Sequence, residues 1–363
     1  MHLVRLRSFA ASFAVIGSAV VLAGTMTTPA AAWGHKKEAP TPAPAAPPPE
    51  AELSVGAPVL AGVVVDRASA YATYMRTAAG IGHHFANGDA VSAALRLGAH
   101  SDDKQLQQGM VAYAAIIALQ DPEFTAALRE FGKHASSREA VIRNILSDPN
   151  YVLSLKGHET AAGLVMAALG AQGSALASAG GAVQQESLDI QLKAAWSKKP
   201  VPNLPGRLAE AKTLATSPIT PADDLRAQLL QASTGAPAMS LSAAPNPGPY
   251  SVSVVRGMAI AALAVLGRAG DGDMAYVDAL MANDADAYCF NMSRLNLYQC
   301  LSVARPYYED MYCLGLHAMA DKGRCVMSSA GVAKAALPVA DADTPKQIPA
   351  VASTGSSRLA AAR

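Results

Sequence analysis

Residues 101–150 read SDDKQLQQGMVAYAAIIALQDPEFTAALREFGKHASSREAVIRNILSDPN, and this stretch decides the fold class. Ser101-Asp102-Asp103 supplies an N-cap, and Leu106, Met110, Tyr113 and Ile117 follow at spacings of four, three and four, the period of a helix face. The pattern stops at Asp121-Pro122, where Asp caps the next helix and Pro takes its first position without forfeiting a needed donor. Phe124, Leu128 and Phe131 form the face of that second helix. Ser136-x-x-Glu139 reads as a capping box ahead of Val141, Ile142, Ile145 and Leu146, and this third helix closes at Asp148-Pro149. Leu119-Gln-Asp121-Pro122-Glu-Phe124 also matches Leu146-Ser-Asp148-Pro149-Asn-Tyr151 at an offset of 27 residues. Stacked helical repeats have periods in this range, although two copies fall short of the three that such stacks need. The expected fold is therefore all-α, a multi-helix array with a repeat-like region.

Outward from this stretch the pattern stays helical. Residues 161–182 carry five glycines among alanines. Gly163, Ala167 and Gly170 would share one side of a central, closely packed helix. Each interior glycine costs about 1 kcal/mol relative to alanine, which predicts a break near Gly180-Gly181. Thr220-Pro221 opens a short helix, and Val254–Leu266 forms another that ends at Gly267. Aromatic residues make up 5% of the chain and alanine is abundant, a composition suited to close helix packing rather than to a sandwich or barrel.

The segment 273–325 holds all four cysteines (Cys289, Cys300, Cys313 and Cys325) and six of the 11 tyrosines. An even cysteine count in an exported chain implies two disulfides. The competing reading is a metal site, since Cys313-x-x-x-His317 places a thiol and an imidazole one turn apart. No two cysteines lie two to four residues apart as a metal knuckle requires, so no metal is expected. Cysteines 11 or 12 residues apart in one straight helix would be separated by more than ~15 Å, too far to bond. Arg305-Pro306 breaks the pattern between Cys300 and Cys313, which suggests a helical hairpin stapled by the nested pairs Cys289–Cys325 and Cys300–Cys313. The rival is sequential pairing, Cys289–Cys300 with Cys313–Cys325. At the start of the second arm, Arg305, Tyr307, Tyr308, Glu309 and Asp310 combine stacking faces with both charges, as a glycan or peptide site would. The simpler reading places the tyrosines in a stapled core with their hydroxyls at its rim.

The ends of the chain speak to export. Arg5 and Arg7 precede an apolar run from Phe9 to Gly24, and Pro29-Ala30-Ala31-Ala32 before Trp33 has the small residues of a cleavage site. Residues 1–32 thus read as a signal peptide, shorter in its apolar run than a spanning helix. The remaining expected divisions are a Pro/Ala-rich linker (33–56), a helical domain (57–232), a Pro/Gly-rich linker (233–250), a Cys/Tyr-rich helical domain (251–333) and a disordered tail (334–363). Losing residues 1–32 removes two arginines and no acid, which leaves a nearly neutral chain without the basic footprint of a nucleic-acid binder. No transmembrane span is expected after cleavage.

Reactive motifs are missing. The chain has no phosphate-cradling G-x-x-x-x-G-K-[ST], no G-x-S-x-G elbow, no H-E-x-x-H and no haem-attachment site, so no cofactor is expected. Asp271-Gly272-Asp273 lacks the further ligands of a calcium loop. His83-His84 diverge too far on a helix to share a metal, and a loop or helix-start position is expected. Asp102-Asp103, Asp223-Asp224 and Glu309-Asp310 look like helix-start charges. The expected function is that of an exported scaffold or interaction protein, periplasmic or secreted, that binds an envelope protein or glycan. The alternative is a hydrolase acting on envelope glycan or peptidoglycan through a carboxylate pair, though no spacing singles out its acids.

Overall fold

The architecture comes from a computed structural model that describes residues 52–332. Polar caps set many of its helix starts. The side chains of Asn87, Asp102, Asp121, Asn203, Ser251 and Asn283 each accept a backbone N–H of the turn that follows. The described residues form 13 α-helices and no strand. They are α1 Gly62–Ala79, α2 Gly88–Ala99, α3 Asp103–Ala118, α4 Pro122–Gly132, α5 Ala135–Ser147, α6 His158–Lys193 and α7 Leu204–Leu214. There follow α8 Asp223–Ser233, α9 Val252–Val265, α10 Met274–Met281, α11 Asp284–Val303, α12 Tyr307–Cys313 and α13 Asp321–Ser329. A π-helical segment, Leu314–Ala320, joins α12 to α13 without a break. The expected signal peptide, most of the first linker and the whole of the expected tail lie outside the described residues.

The core is built on α3 and α9, which are buried almost all round, as a helix apolar on every side must be. Gly109 of α3 lies against the Arg67 carbonyl and Tyr71 of α1, and Gly257 of α9 lies against Ala114. The three sequence-derived helices of residues 101–150 are present, with differences in detail. Phe131 is 38% exposed, so the buried face of α4 is Phe124, Thr125 and Leu128. Helix α5 begins at Ala135 with His134 as its N-cap, which puts Ser136 inside the first turn instead of at the cap. The two Asp-Pro units also differ: the first opens an 11-residue α-helix, the second a six-residue 3-10 helix, Pro149–Ser154.

Residues 233–250 do not divide the fold into separate cores. Apolar residues from both sides, among them Leu106, Ile116, Val254 and Leu263, join one cluster within one compact unit. The segment is irregular because glycines and prolines interrupt helix hydrogen bonding, yet it lies on the body: the Ala244 carbonyl abuts Gly163, and the Asn246 N–H donates to the Glu159 carbonyl at 3.0 Å.

Helix α6 runs unbroken through Gly180-Gly181, contrary to the expected break, and at 36 residues is roughly 54 Å long. The reason is a seam of small residues around its middle, at Gly173 and Gly180. A Cβ at Gly180 would meet the Gly315 carbonyl and the Ala320 N–H at 2.5 Å, and one at Gly315 would meet the Gly180 carbonyl at 2.6 Å. Gly173 and Gly323 face each other in the same reciprocal way: a Cβ added to either would lie 2.6–2.8 Å from the other's carbonyl oxygen. The π segment and α13 thus run antiparallel to α6 at backbone contact, and the packing gained there offsets the helix cost of the glycines. Helix α6 is long and apolar enough by composition to cross a membrane, but 56% of its most apolar window is buried within this fold.

Helix α11 and the continuous arm from Tyr307 to Ser329 form the expected hairpin across Arg305-Pro306. The disulfides are Cys289–Cys325 and Cys300–Cys313, with Cα separations of 5.8 and 5.6 Å, and no cysteine is free. The nested connectivity is the one the turn implied. Two disulfides are consistent with an oxidising compartment.

Candidate functional site

The five residues singled out at the start of the second arm do not face one place. Arg305 is exposed, and its backbone N–H donates to Glu309 Oε2 at 2.7 Å, which closes the turn. Tyr307 is half-buried against α2, where its ring occupies the space a side chain at Gly88 would need, and it meets Trp196 edge-on at 6.4 Å. Tyr308 and Glu309 turn the other way. Asp310 points inward and is buried with Arg207, whose other terminal nitrogen donates to the Leu301 carbonyl. Burial pushes the Asp310 carboxyl up to about 6, against the pull of Arg207. Asp310 is therefore a brace between α7, α12 and the end of α11, not a surface contact.

Two depressions flank α12. On one side, a cleft of about 630 Å³ lies between α2 and α7, with Tyr307 in its wall. Arg96 and Glu210 bridge it at 2.7 Å, and Asp89, Asn203 and Arg207 also line it. On the other side, an apolar groove of about 160 Å³ is walled by Leu188, Val303, Tyr308, Tyr312 and the Cys300–Cys313 disulfide. Val303 is 71% exposed, and Leu192, one turn beyond Leu188 on α6, is 84% exposed. Large apolar side chains this exposed beside a formed groove mark a surface suited to contact. Sequence reasoning located Tyr308 here but missed Leu188 and Leu192. Their signal was a pair of leucines four apart among polar residues at the end of an otherwise small-residue helix.

Titratable groups elsewhere are committed to the fold. Lys322 is buried, donates to Ser101 Oγ and sits 5.1 Å from the centre of the Tyr74 ring; Asp103 and Arg294 complete the group, 3.0 Å apart. A serine–lysine pair is a chemically reactive combination, but Ser101 is fully buried and lines neither depression. Asp286 is buried and accepts from the buried Ser253 and Ser329 and from the partly buried Asn283. His317 Nδ1 lies 2.7 Å from Asp321, which also holds Arg324. Of the acid pairs noted in the sequence, Asp102 caps α3 and Asp224 pairs with Arg76. The rings of His83 and His84 meet at a tilt of 50° with centroids 4.0 Å apart in the loop between α1 and α2, and His84 lies 3.5 Å from Glu186. Among the described residues no group of three or more metal-ligating side chains is placed to hold an ion.

The buried lysine sets a pH dependence. Desolvation lowers Lys322 to about 8, with Arg294 adding to the shift and Asp103 opposing it. Its folded-state pKa is then below that of the unfolded chain, so between pH 8 and 10 the unfolded chain holds more protons and stability rises with pH. The expected gain from pH 7 to pH 10 is roughly 2 kcal/mol. Above pH 10 the trend reverses, because Tyr71, Tyr74 and Tyr113 keep their protons longer when buried. Urea denaturation across this range should show the rise in the native protein and a nearly flat profile in Lys322→Met. A rise that persists in the variant would assign it to another group.

Compared with family models, curated proteins and solved structures, the chain matches none.

Proposed function

We propose that this is an exported interaction protein of the cell envelope, periplasmic or secreted, that binds a protein or glycan partner at the stapled hairpin. The observation that carries the reading is the apolar groove on the Cys300–Cys313 disulfide, with Leu192 and Val303 exposed beside it. Tyrosines on a rigid, cross-linked arm lose little freedom on binding and are enriched where binding energy concentrates. The two disulfides support export, and the N-terminal segment supports the same direction. The hydrolase reading would draw its acids from the larger cleft, where Asp89 and Glu210 are the lining carboxylates, and Glu210 is held by Arg96. Binding is the better fit.

The test uses residues that hold nothing together. Leu192→Asp with Val303→Asp should reduce capture of the partner from envelope extract at least tenfold, with the circular dichroism unchanged. Unaltered capture would move the surface elsewhere. Tyr307→Ala is a poor probe because its ring packs on Gly88 and Trp196, and losing it would disturb α2.

A further inference from the structure

Helix α11 has two faces suited to packing, and the fold uses one. Phe290, Ser293, Leu297 and Leu301 are buried against the body. On the opposite side Tyr288, Met292, Leu295, Gln299 and Ser302 follow at spacings of four, three, four and three, the d and a positions of a heptad. Tyr288 is 66% exposed and Leu295 40%; Gln299 and Ser302 are exposed as well, and Met292 partly so. Single exposed apolar residues are ordinary, but a row at this spacing is the pattern that meets another helix. A surface helix also keeps charged residues on its outward face. This one has none there from Tyr288 to Val303, since the one charged residue of that span, Arg294, is held by Asp103 at 3.0 Å. Charge sits at the two ends instead. Asp284 opens α11 and Arg305 follows its last turn, roughly 30 Å away. Both are exposed, and neither side chain has an ionic or hydrogen-bond partner among the described residues.

We infer that this face packs against the same face of a second copy of the chain, antiparallel about a two-fold axis near Leu295. The charges select that occupant. A two-fold contact uses one patch on both copies, so the patch must complement itself. In the antiparallel arrangement the Asp284 end of each copy meets the Arg305 end of the other, and two ion pairs close together while Met292 and Leu295 pack at the centre. A parallel pair would set Asp284 beside Asp284 and Arg305 beside Arg305. A different helix with charged flanks would find no counter-charge along the row, which Asn291, Asn296 and Tyr298 border. Gln299 is the polar residue at an a position that fixes register in such contacts, at some cost in stability. The inference does not rest on the groove reading, because it concerns the purified protein without any other partner.

Sedimentation equilibrium of the purified protein over a concentration series tests it, with circular dichroism as the control for folding. The native protein should form a reversible dimer. Leu295→Asp, a change at an exposed position that sets two carboxylates near the axis, should leave the spectrum unchanged and abolish the dimer. Asp284→Arg and Arg305→Asp should each weaken dimerisation roughly tenfold, since either loses two exposed ion pairs and gains like-charge contacts. Combining the two swaps restores both pairs and should return the dimer to within about twofold of the native protein. A monomer at every concentration overturns the inference and leaves the row to a terminal segment or to another protein. So does a dimer indifferent to Leu295→Asp, or a pair of swaps that fails to rescue. Partner capture judges the groove separately, so either reading can fail alone.

Discussion

Gly180→Ala is expected to destabilise the protein by about 3 kcal/mol, whereas Gly181→Ala, one residue along, is expected to stabilise it by up to about 1 kcal/mol. By helix propensity alone both changes should help, since alanine is the better helix former. The environments differ. A methyl at Gly180 would sit 2.5 Å from backbone atoms of the π segment, which cannot rotate aside, while a methyl at Gly181 meets nothing within 4 Å. Separating α6 from the opposite arm to admit it would loosen the Gly173–Gly323 contact as well. Urea denaturation of the two variants measures both signs. If Gly180→Ala were neutral or stabilising, the backbone seam would be absent.

The second large effect belongs to the disulfides. Cys289–Cys325 spans 36 positions and Cys300–Cys313 spans 13. Loop-closure entropy in the unfolded chain makes the longer one worth about 4 kcal/mol and the shorter about 3 kcal/mol. Replacing Cys289 and Cys325 together by Ser should therefore cost more than replacing Cys300 and Cys313. Cys325 is also more deeply buried than Cys289, so some of the first loss is core packing. Denaturation of the two double variants gives the order, and thiol titration of the denatured, unreduced protein should find no free thiol. Peptides joined as Cys289–Cys300 and Cys313–Cys325 would contradict the hairpin.

The readable stretches of this chain are those where one local signal decides. Asp102 and Asp121 cap as their positions imply, because an N-cap depends on a few neighbouring atoms. The nested disulfides followed from one turn, Arg305-Pro306, together with the length of a helix. Features that depend on a distant partner were not legible. The continuity of α6 depends on Gly315 and Gly323, more than a hundred residues away in the chain, and no propensity within α6 encodes them. The same holds for Asp310: an acid near a helix start reads as a dipole partner, yet here Arg207 of α7 draws it inward. Of the candidate site, the tyrosines could be named, but their division between two depressions could not. That division depends on α2 and α6 flanking α12, a tertiary fact. The Pro/Gly stretch 233–250 misled for a related reason, since turn-forming residues mark an interruption of helix but not whether the flanking helices share a core.

The central claim is that the groove beside the Cys300–Cys313 disulfide is the working surface of a binding protein. Hydrogen exchange of the protein, alone and with its captured partner, tests it directly. Slowed exchange is expected to be confined to the end of α6, about residues 185–193, and to residues 299–313. Protection centred on any other surface, or turnover of an envelope polymer that stops when Asp89 or Glu210 is neutralised, would contradict it.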